Sequence, residues 1–219
     1  MIETLNNWDA ATLLWLNGFH NSFFDYFMSL ISNKWVWTPM YFTIFVISII
    51  HAGLKPRLLV ILAVFGVAFA LSDFTCAELI RPLFNRPRPS NLHSGISHLV
   101  HIVDGYRGGN YGFPSCHASN SFMLATLCML IFKNWRLSLF LYAWAVLHSY
   151  SRIYLGVHYP GDLLVGAIVG TSISFLCYKA CTYYYRLADE KRFRYLSFIS
   201  YIGCTILLVL LLSTYIVQH

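Results

Sequence analysis

Polar residues interrupt this chain only briefly, and the apolar runs between them are long enough to be spans. Six stand out, at about 35–52, 57–80, 116–133, 136–155, 161–182 and 195–217. Each approaches the roughly 20 residues that a helix needs to cross a hydrocarbon layer about 30 Å thick. The first apolar block, 10–33 (AATLLWLNGFHNSFFDYFMSLISN), is different, because Asn17, Gly18, His20, Asn21 and Asp25 break it. It predicts one or two helices lying in the membrane interface rather than a span. The expected fold is therefore all-α. It is a polytopic membrane bundle of six transmembrane helices with N-terminal interfacial helices, forming one domain over 1–219. Residues 1–34 are its N-terminal segment and 81–115 its long outer loop.

Composition agrees with the pattern. The chain has 219 residues, of which 58% are hydrophobic and 11% charged, too apolar for a soluble domain of this length. Met1–Asp9 lacks the basic start and small-residue cleavage site of a signal peptide, so none is expected. A net charge of +6 would suggest nucleic acid in a soluble protein. Here the basic residues fall between apolar runs, which excludes that partner and points to topology and an anionic ligand. Of six cysteines only Cys116 lies outside an apolar run, so no disulfide framework is expected. Cys177 and Cys181, four apart, read as small packing residues.

Basic residues in short loops set the orientation. Lys55 and Arg57, then Lys133 and Arg136, then Lys179, Arg186, Lys191, Arg192 and Arg194 mark three cytoplasmic connections. Both termini, the loop 81–115 and the turn 156–160 then face outward. Arg81, Arg86, Arg88, Arg107 and Arg152 break the charge rule by lying on that outer side, so they serve something other than topology.

Three polar islands share that depth. Arg81-Pro-Leu-Phe-Asn-Arg-Pro-Arg88-Pro89 ends the second span. Pro114-Ser115-Cys116-His117 opens the third, and Ser151-Arg152-Ile-Tyr-Leu-Gly-Val-His158-Tyr-Pro-Gly-Asp162 joins the fourth to the fifth. Charges beside hydrocarbon are costly unless paired or solvated. Guanidinium forks match phosphate oxygens, so Arg81, Arg88 and Arg152 read as a phosphate cage. Ser115 and the N–H groups opening the third helix, that of Cys116 included, would complete it. Two histidines at one phosphate suggest that one attacks phosphorus and the other protonates the departing oxygen. Asp162, four residues after His158, can hold Nδ1–H and leave Nε2 to attack. His117 is then the acid. Activity that needs His158 neutral and His117 protonated should have a bell-shaped pH profile.

Arg81-x6-Arg88-Pro89, Pro-Ser-x-His and Ser-Arg-x5-His-x3-Asp, in this order, resemble the type 2 phosphatidic acid phosphatase (PAP2) family. The resemblance implies hydrolysis of a lipid phosphomonoester or pyrophosphate through a phosphohistidine, without metal or other cofactor. It makes His158 the nucleophile, Asp162 its orienting carboxylate and His117 the acid, with Arg81, Arg88, Ser115, Arg152 and the N–H of Cys116 on the phosphate. Two positions depart from the family pattern: Arg81 stands where Lys is usual, and Cys116 where Gly is usual. Candidate substrates are undecaprenyl diphosphate, lipid A, phosphatidylglycerophosphate and phosphatidic acid, with the first two favoured. The expected setting is the bacterial cytoplasmic membrane, with the site on the periplasmic or outer side. The bilayer and the lipid phosphate are the expected partners, with no obligate protein partner.

Other readings keep parts of this. The same phosphohistidine could serve a lipid phosphotransferase, and an anion site alone could serve a non-catalytic lipid transporter. A cysteine phosphatase would need Arg at 122, which is Phe. A Cys116–His117 metal site lacks further ligands, and a vanadate-type peroxidase is soluble. His20, His51, His148 and His219 read as packing or interfacial residues, and His93, His98 and His101 as solvent-exposed or head-group contacts in the outer loop. Arg86 reads as structural. Arg107, in the glycine-rich 106–112, suits either a second phosphate or sugar, or a plain turn. Trp35, Trp37 and Trp135 read as interfacial anchors.

Overall fold

In the computed structural model the described residues are 2–52, 56–184 and 195–218. Lys55, Arg186, Lys191, Arg192, Arg194 and His219, counted above, lie outside them. The helices are α1 (Ile2–Asn17), α2 (Ser22–Ser32), α3 (Thr38–Ala52), α4 (Pro56–Phe74), α5 (Arg81–Phe84), α6 (Cys116–Phe132), α7 (Trp135–Tyr154), α8 (Pro160–Tyr184) and α9 (Ser197–Gln218). No strand occurs among the described residues, where extended pairing is limited to a bridge between Pro87 and Tyr111.

The chain punctuates these helices with side chains that satisfy their open N–H groups. Asn21 caps α2 through the N–H of Phe24, Ser115 caps α6 through Ala118, and Asn134 caps α7 through Leu137. Lys133 ends α6 in the left-handed conformation. Between α4 and α5 the helix widens into a π segment, Thr75–Ile80. Pro82 follows two residues later, in α5, a residue whose ring would crowd the carbonyl four places back in a regular helix. The apolar rod therefore runs unbroken from Pro56 to Phe84. The outer loop begins at Asn85, not at 81, and Arg81 sits on helix.

Helix α6 is the centre of the bundle, in contact with α4, α7 and α8. Gly166 and Gly170 of α8 let that helix close on it, since a Cβ at either would collide with the backbone of Ser115 or Ser119. A Ser72–Ser119 hydroxyl pair at 2.6 Å ties α4 to α6, and Ser174 donates to the carbonyl of Met123 at 3.0 Å. A second apolar layer joins Ile31, Trp37, Met40, Leu141, Trp144 and Ile199. Trp37 is thus a core residue, not an interfacial anchor. It is fully buried and donates its indole N–H to the carbonyl of Ile31 at 2.9 Å. Trp35 and Trp135 remain exposed.

The periphery is apolar. Phe42, Leu59, Leu164, Leu176 and Leu212 all face outward, as lipid contact requires and water disfavours. Three helices, Pro56–Phe84, Pro160–Tyr183 and Ser197–Gln218, are long and apolar enough to cross a membrane. Lys34–Ile50 and Cys116–Phe132 are apolar but shorter. Helix α7 has 20 residues, but Arg136, Ser138, His148, Ser149, Ser151 and Arg152 lower its hydropathy. The N-terminal segment forms two helices, α1 packed on α7 and α8, and α2 on α7 and α9.

Candidate active site

The three polar islands meet at one end of the bundle. Ser115 N–H donates to the carbonyl of Asp162 at 3.0 Å, joining the second island to the third. Arg81 donates to the carbonyl of Pro114 at 3.1 Å and to Cys116 Sγ at 3.0 Å, joining the first to the second. Arg88 closes the triangle with a 3.0 Å contact to His158.

His158 and Asp162 form a buried pair, 1% and 0% exposed. His158 lies in the turn after α7 and Asp162 in the first turn of α8, so a tight Tyr-Pro-Gly link brings Nδ1 to 3.3 Å from Asp162 Oδ2. The same oxygen accepts the Tyr159 N–H at 3.0 Å, and the Gly112 backbone also hydrogen-bonds the ring. Arg88 Nη1 can only donate, so its contact with Nε2 requires that nitrogen to carry the lone pair and Nδ1 the proton. Burial, and then the charges of Arg88, Arg152 and Arg81, hold His158 well below the usual histidine range. It is neutral at physiological pH, with its free nitrogen facing the arginines.

Those arginines are held in place by carbonyl and hydroxyl acceptors. Arg88 is anchored by the carbonyls of Tyr111 and Val157, each at 3.1 Å. Burial, and then the like charges of Arg152 and Arg81, push it down to about 10, so it stays a cation at neutral pH. Arg152, in the last turn of α7, donates to Ser32 Oγ and, at 3.2 Å, to Tyr106 Oη. The Nε–H groups of Arg81 and Arg152 are buried with no hydrogen-bond partner, a costly arrangement that a phosphate oxygen would relieve. Ser115 accepts the Ala118 N–H at 3.4 Å while capping α6, which leaves its hydroxyl proton for another acceptor. Cys116 and His117 follow as the first helical residues, so their N–H groups belong to the open helix start.

His117 lies within electrostatic reach of His158, Arg152 and Arg88. Its ring stacks on His148 at 5.8 Å, and His148 stacks in turn on Trp144 at 5.5 Å. His148 is more than general packing: it backs the ring of His117, while Ser121 Oγ meets its Nδ1 at 2.9 Å. At His117 the polar site opens into a cavity of about 850 Å³ between α3, α4, α6 and α7. Lys34, Asp73 and Asn120 border it near the site, and Tyr41, Phe45, Leu62, Phe65 and Phe69 line it further in.

Other residues of the sequence reading take defined places. Arg107 is a loop staple: it donates to the carbonyl of Ser90, whose Oγ donates back to the Arg107 carbonyl at 2.8 Å. His101 is not solvent-exposed but bonded to Asp25 at 2.8 Å and stacked on His20 at 3.7 Å; His93 and His98 are exposed. Arg86 bridges Asp162 at 3.0 Å and Asp9 at 2.7 Å. Asp9, Tyr106 and the backing role of His148 escape sequence reasoning. No motif marks them, and the contacts come from elements far apart in the chain.

Comparison with known proteins accords with this geometry. The PAP2 superfamily model matches residues 58–186. The chain is 46% identical to a lipid A 4'-phosphatase of Bacteroides thetaiotaomicron, over 81% of this chain and 79% of that one. It is 35% identical to a lipid A 4'-phosphatase of Porphyromonas gingivalis, over 78% and 71%. The crystal structure of Aquifex aeolicus LpxE, at 24% identity, shares the fold with a TM-score of 0.53, covering 77% of this chain and 93% of that one. With more than half of its length matched by the family model and relatives this similar, the chain belongs to the PAP2 superfamily and is a membrane phosphatase of that family.

Proposed function

We propose that this enzyme removes the 4'-phosphate of lipid A at the outer face of the bacterial cytoplasmic membrane. The observation that carries the reading is that His117, within electrostatic reach of His158, Arg152 and Arg88, also borders an apolar cavity. A phosphate can enter the arginines while acyl chains stay in the cavity and in lipid. The relatives' names supply the substrate. In this reading α3, α4 with α5, and α6 to α9 are six spanning segments, with the site on the face opposite the basic loops.

The chemistry follows from the geometry. Phosphate oxygens take up the donors of Arg81, Arg88, Arg152, Ser115 and the start of α6. Arg88 then exchanges its contact with His158 Nε2 for one with phosphate, which uncovers the lone pair. Nε2 bonds to phosphorus, the bond from phosphorus to the lipid oxygen breaks, and His117 gives that oxygen its proton. Asp162 holds Nδ1–H as positive charge grows on the ring. His117 next takes a proton from water, whose oxygen attacks phosphorus; the P–N bond breaks and inorganic phosphate leaves. The residues 1–219 act as one domain in this reading.

The test is phosphate release by the purified enzyme from a panel of single lipids: lipid A bisphosphate, undecaprenyl diphosphate, phosphatidylglycerophosphate and phosphatidic acid. Lipid A should be the best substrate by kcat/KM, losing only the 4' group by mass spectrometry. Preference for undecaprenyl diphosphate overturns the substrate. Transfer to a second lipid without free phosphate would make the enzyme a phosphotransferase, and unchanged release in His158→Ala would remove the mechanism.

A further inference from the structure

Helix α1 lies outside the stretch matched by the family model, 58–186, yet it places a carboxylate three contacts from the nucleophile. Asp9 Oδ2 is 2.7 Å from Arg86 Nη1, the same nitrogen that meets Asp162 Oδ1 at 3.0 Å. Asp162 Oδ2 in turn faces His158 Nδ1 at 3.3 Å. The guanidinium lies over the Tyr159 ring at 3.9 Å, which fixes its plane. The other Asp9 oxygen accepts the Gly161 N–H at 2.8 Å. The approach is close: a Cβ at 161 would lie 2.7 Å from Asp9 Oδ2, so any larger residue there would displace the carboxylate.

We propose that Asp9 is a positioning residue for the nucleophile, acting through Arg86 and Asp162. The proposal rests on the reading of His158 as the attacking group. Arg86 alone would neutralise Asp162 and weaken its hold on the His158 ring. A second carboxylate on the same nitrogen shares that charge, so Asp9, Arg86 and Asp162 together carry one net negative charge behind His158. The other charged or titratable groups acting on His158 are Arg88, Arg152, Arg81 and His117, none of which supplies negative charge. Positive charge developing on the ring during attack is therefore stabilised from the Asp9 side, and α1 becomes part of the working enzyme rather than a tether.

Asp9→Asn separates this role from simple capping, because asparagine can still accept the Gly161 N–H but carries no charge. Its kcat on lipid A should fall about tenfold, the low end of what outer-shell carboxylate partners contribute elsewhere, with KM within about twofold. The acid limb of kcat/KM should move to lower pH by roughly 0.5 to 1 unit, because losing a nearby negative charge disfavours protonated His158. Asp9→Glu, which keeps the charge, should recover part of kcat and return the limb toward the wild-type position. A wild-type kcat in Asp9→Asn overturns the proposal, as does a loss confined to KM, a loss with an unmoved acid limb, or no recovery by Asp9→Glu. Wild type and His158→Ala run alongside keep the two ideas apart: retained phosphate release in His158→Ala defeats the nucleophile assignment itself, before Asp9 is in question.

Discussion

Asp162→Asn is the substitution whose effect the structure specifies most fully. The carboxylate is completely buried and accepts three hydrogen bonds: Tyr159 N–H at 3.0 Å, His158 Nδ1 at 3.3 Å and Arg86 Nη1 at 3.0 Å. All its partners are donors, and an amide offers one accepting atom and two donating hydrogens. With its NH2 toward Arg86, two donors oppose each other; with its NH2 toward His158, the ring must carry its proton on Nε2. The first arrangement opposes only Arg86, which keeps Asp9. The second opposes the Tyr159 N–H as well, sets a proton on Nε2 against Arg88 and removes the attacking lone pair. Either one loses the negative charge behind the ring. The equivalent change in a catalytic triad lowers kcat about ten-thousandfold through the wrong tautomer. Here Arg88 opposes a proton on Nε2 and limits the switch, so a loss of about a thousandfold is expected, or roughly 4 kcal/mol at 1.36 kcal/mol per tenfold. KM should stay within about threefold, since the arginines proposed to hold phosphate are untouched. Initial rates of phosphate release at saturating lipid read the effect directly. A kcat within tenfold of wild type would refute the orienting role.

Three further outcomes follow. His158 must be neutral to attack, and its proton affinity lies well below the usual range; the acid limb of kcat/KM therefore belongs below about pH 6.5, and a limb at or above that value contradicts the buried, arginine-flanked site. Gly66 borders the apolar cavity and has open space around it, so Gly66→Phe should fold and raise KM for a long-chain lipid phosphate at least several-fold. A water-soluble aryl phosphate should be hydrolysed as before, and equal effects on both substrates would remove the cavity's assignment. Cys116 offers its side chain to Arg81 and to the Cys76 thiol, so Cys116→Ala should keep activity within about threefold, the backbone N–H being unaltered; a loss beyond tenfold would make the thiol part of the machinery.

The charged core of the site was legible because its cost is visible in sequence. Arginines and histidines at span ends need a partner wherever the chain folds, and the spacing from His158 to Asp162 is one local turn. Helix α4 was also legible as an apolar rod, but its end was not: a π widening, in which the Arg81 N–H reaches back to the Cys76 carbonyl, carries the helix past Pro82 to Phe84. Trp37 shows the same limit, since an indole at a span end suits either lipid interface or core, and only the Ile31 carbonyl decides. Asp9 was invisible for another reason. It lies 77 residues before Arg86 and 152 before Gly161, and nothing local in a short acidic N-terminal stretch announces such a contact.

The central claim is that phosphorus passes through His158, and the direct measurement is capture of that intermediate. Enzyme is mixed with lipid A labelled in its 4'-phosphate, quenched in denaturant at alkaline pH after a fraction of a turnover, and mapped by peptide mass spectrometry. Label should appear on the peptide containing His158, survive alkali, disappear in acid, and be absent from His158→Ala. Label on another residue, or full turnover by an enzyme that never carries label, would contradict the account.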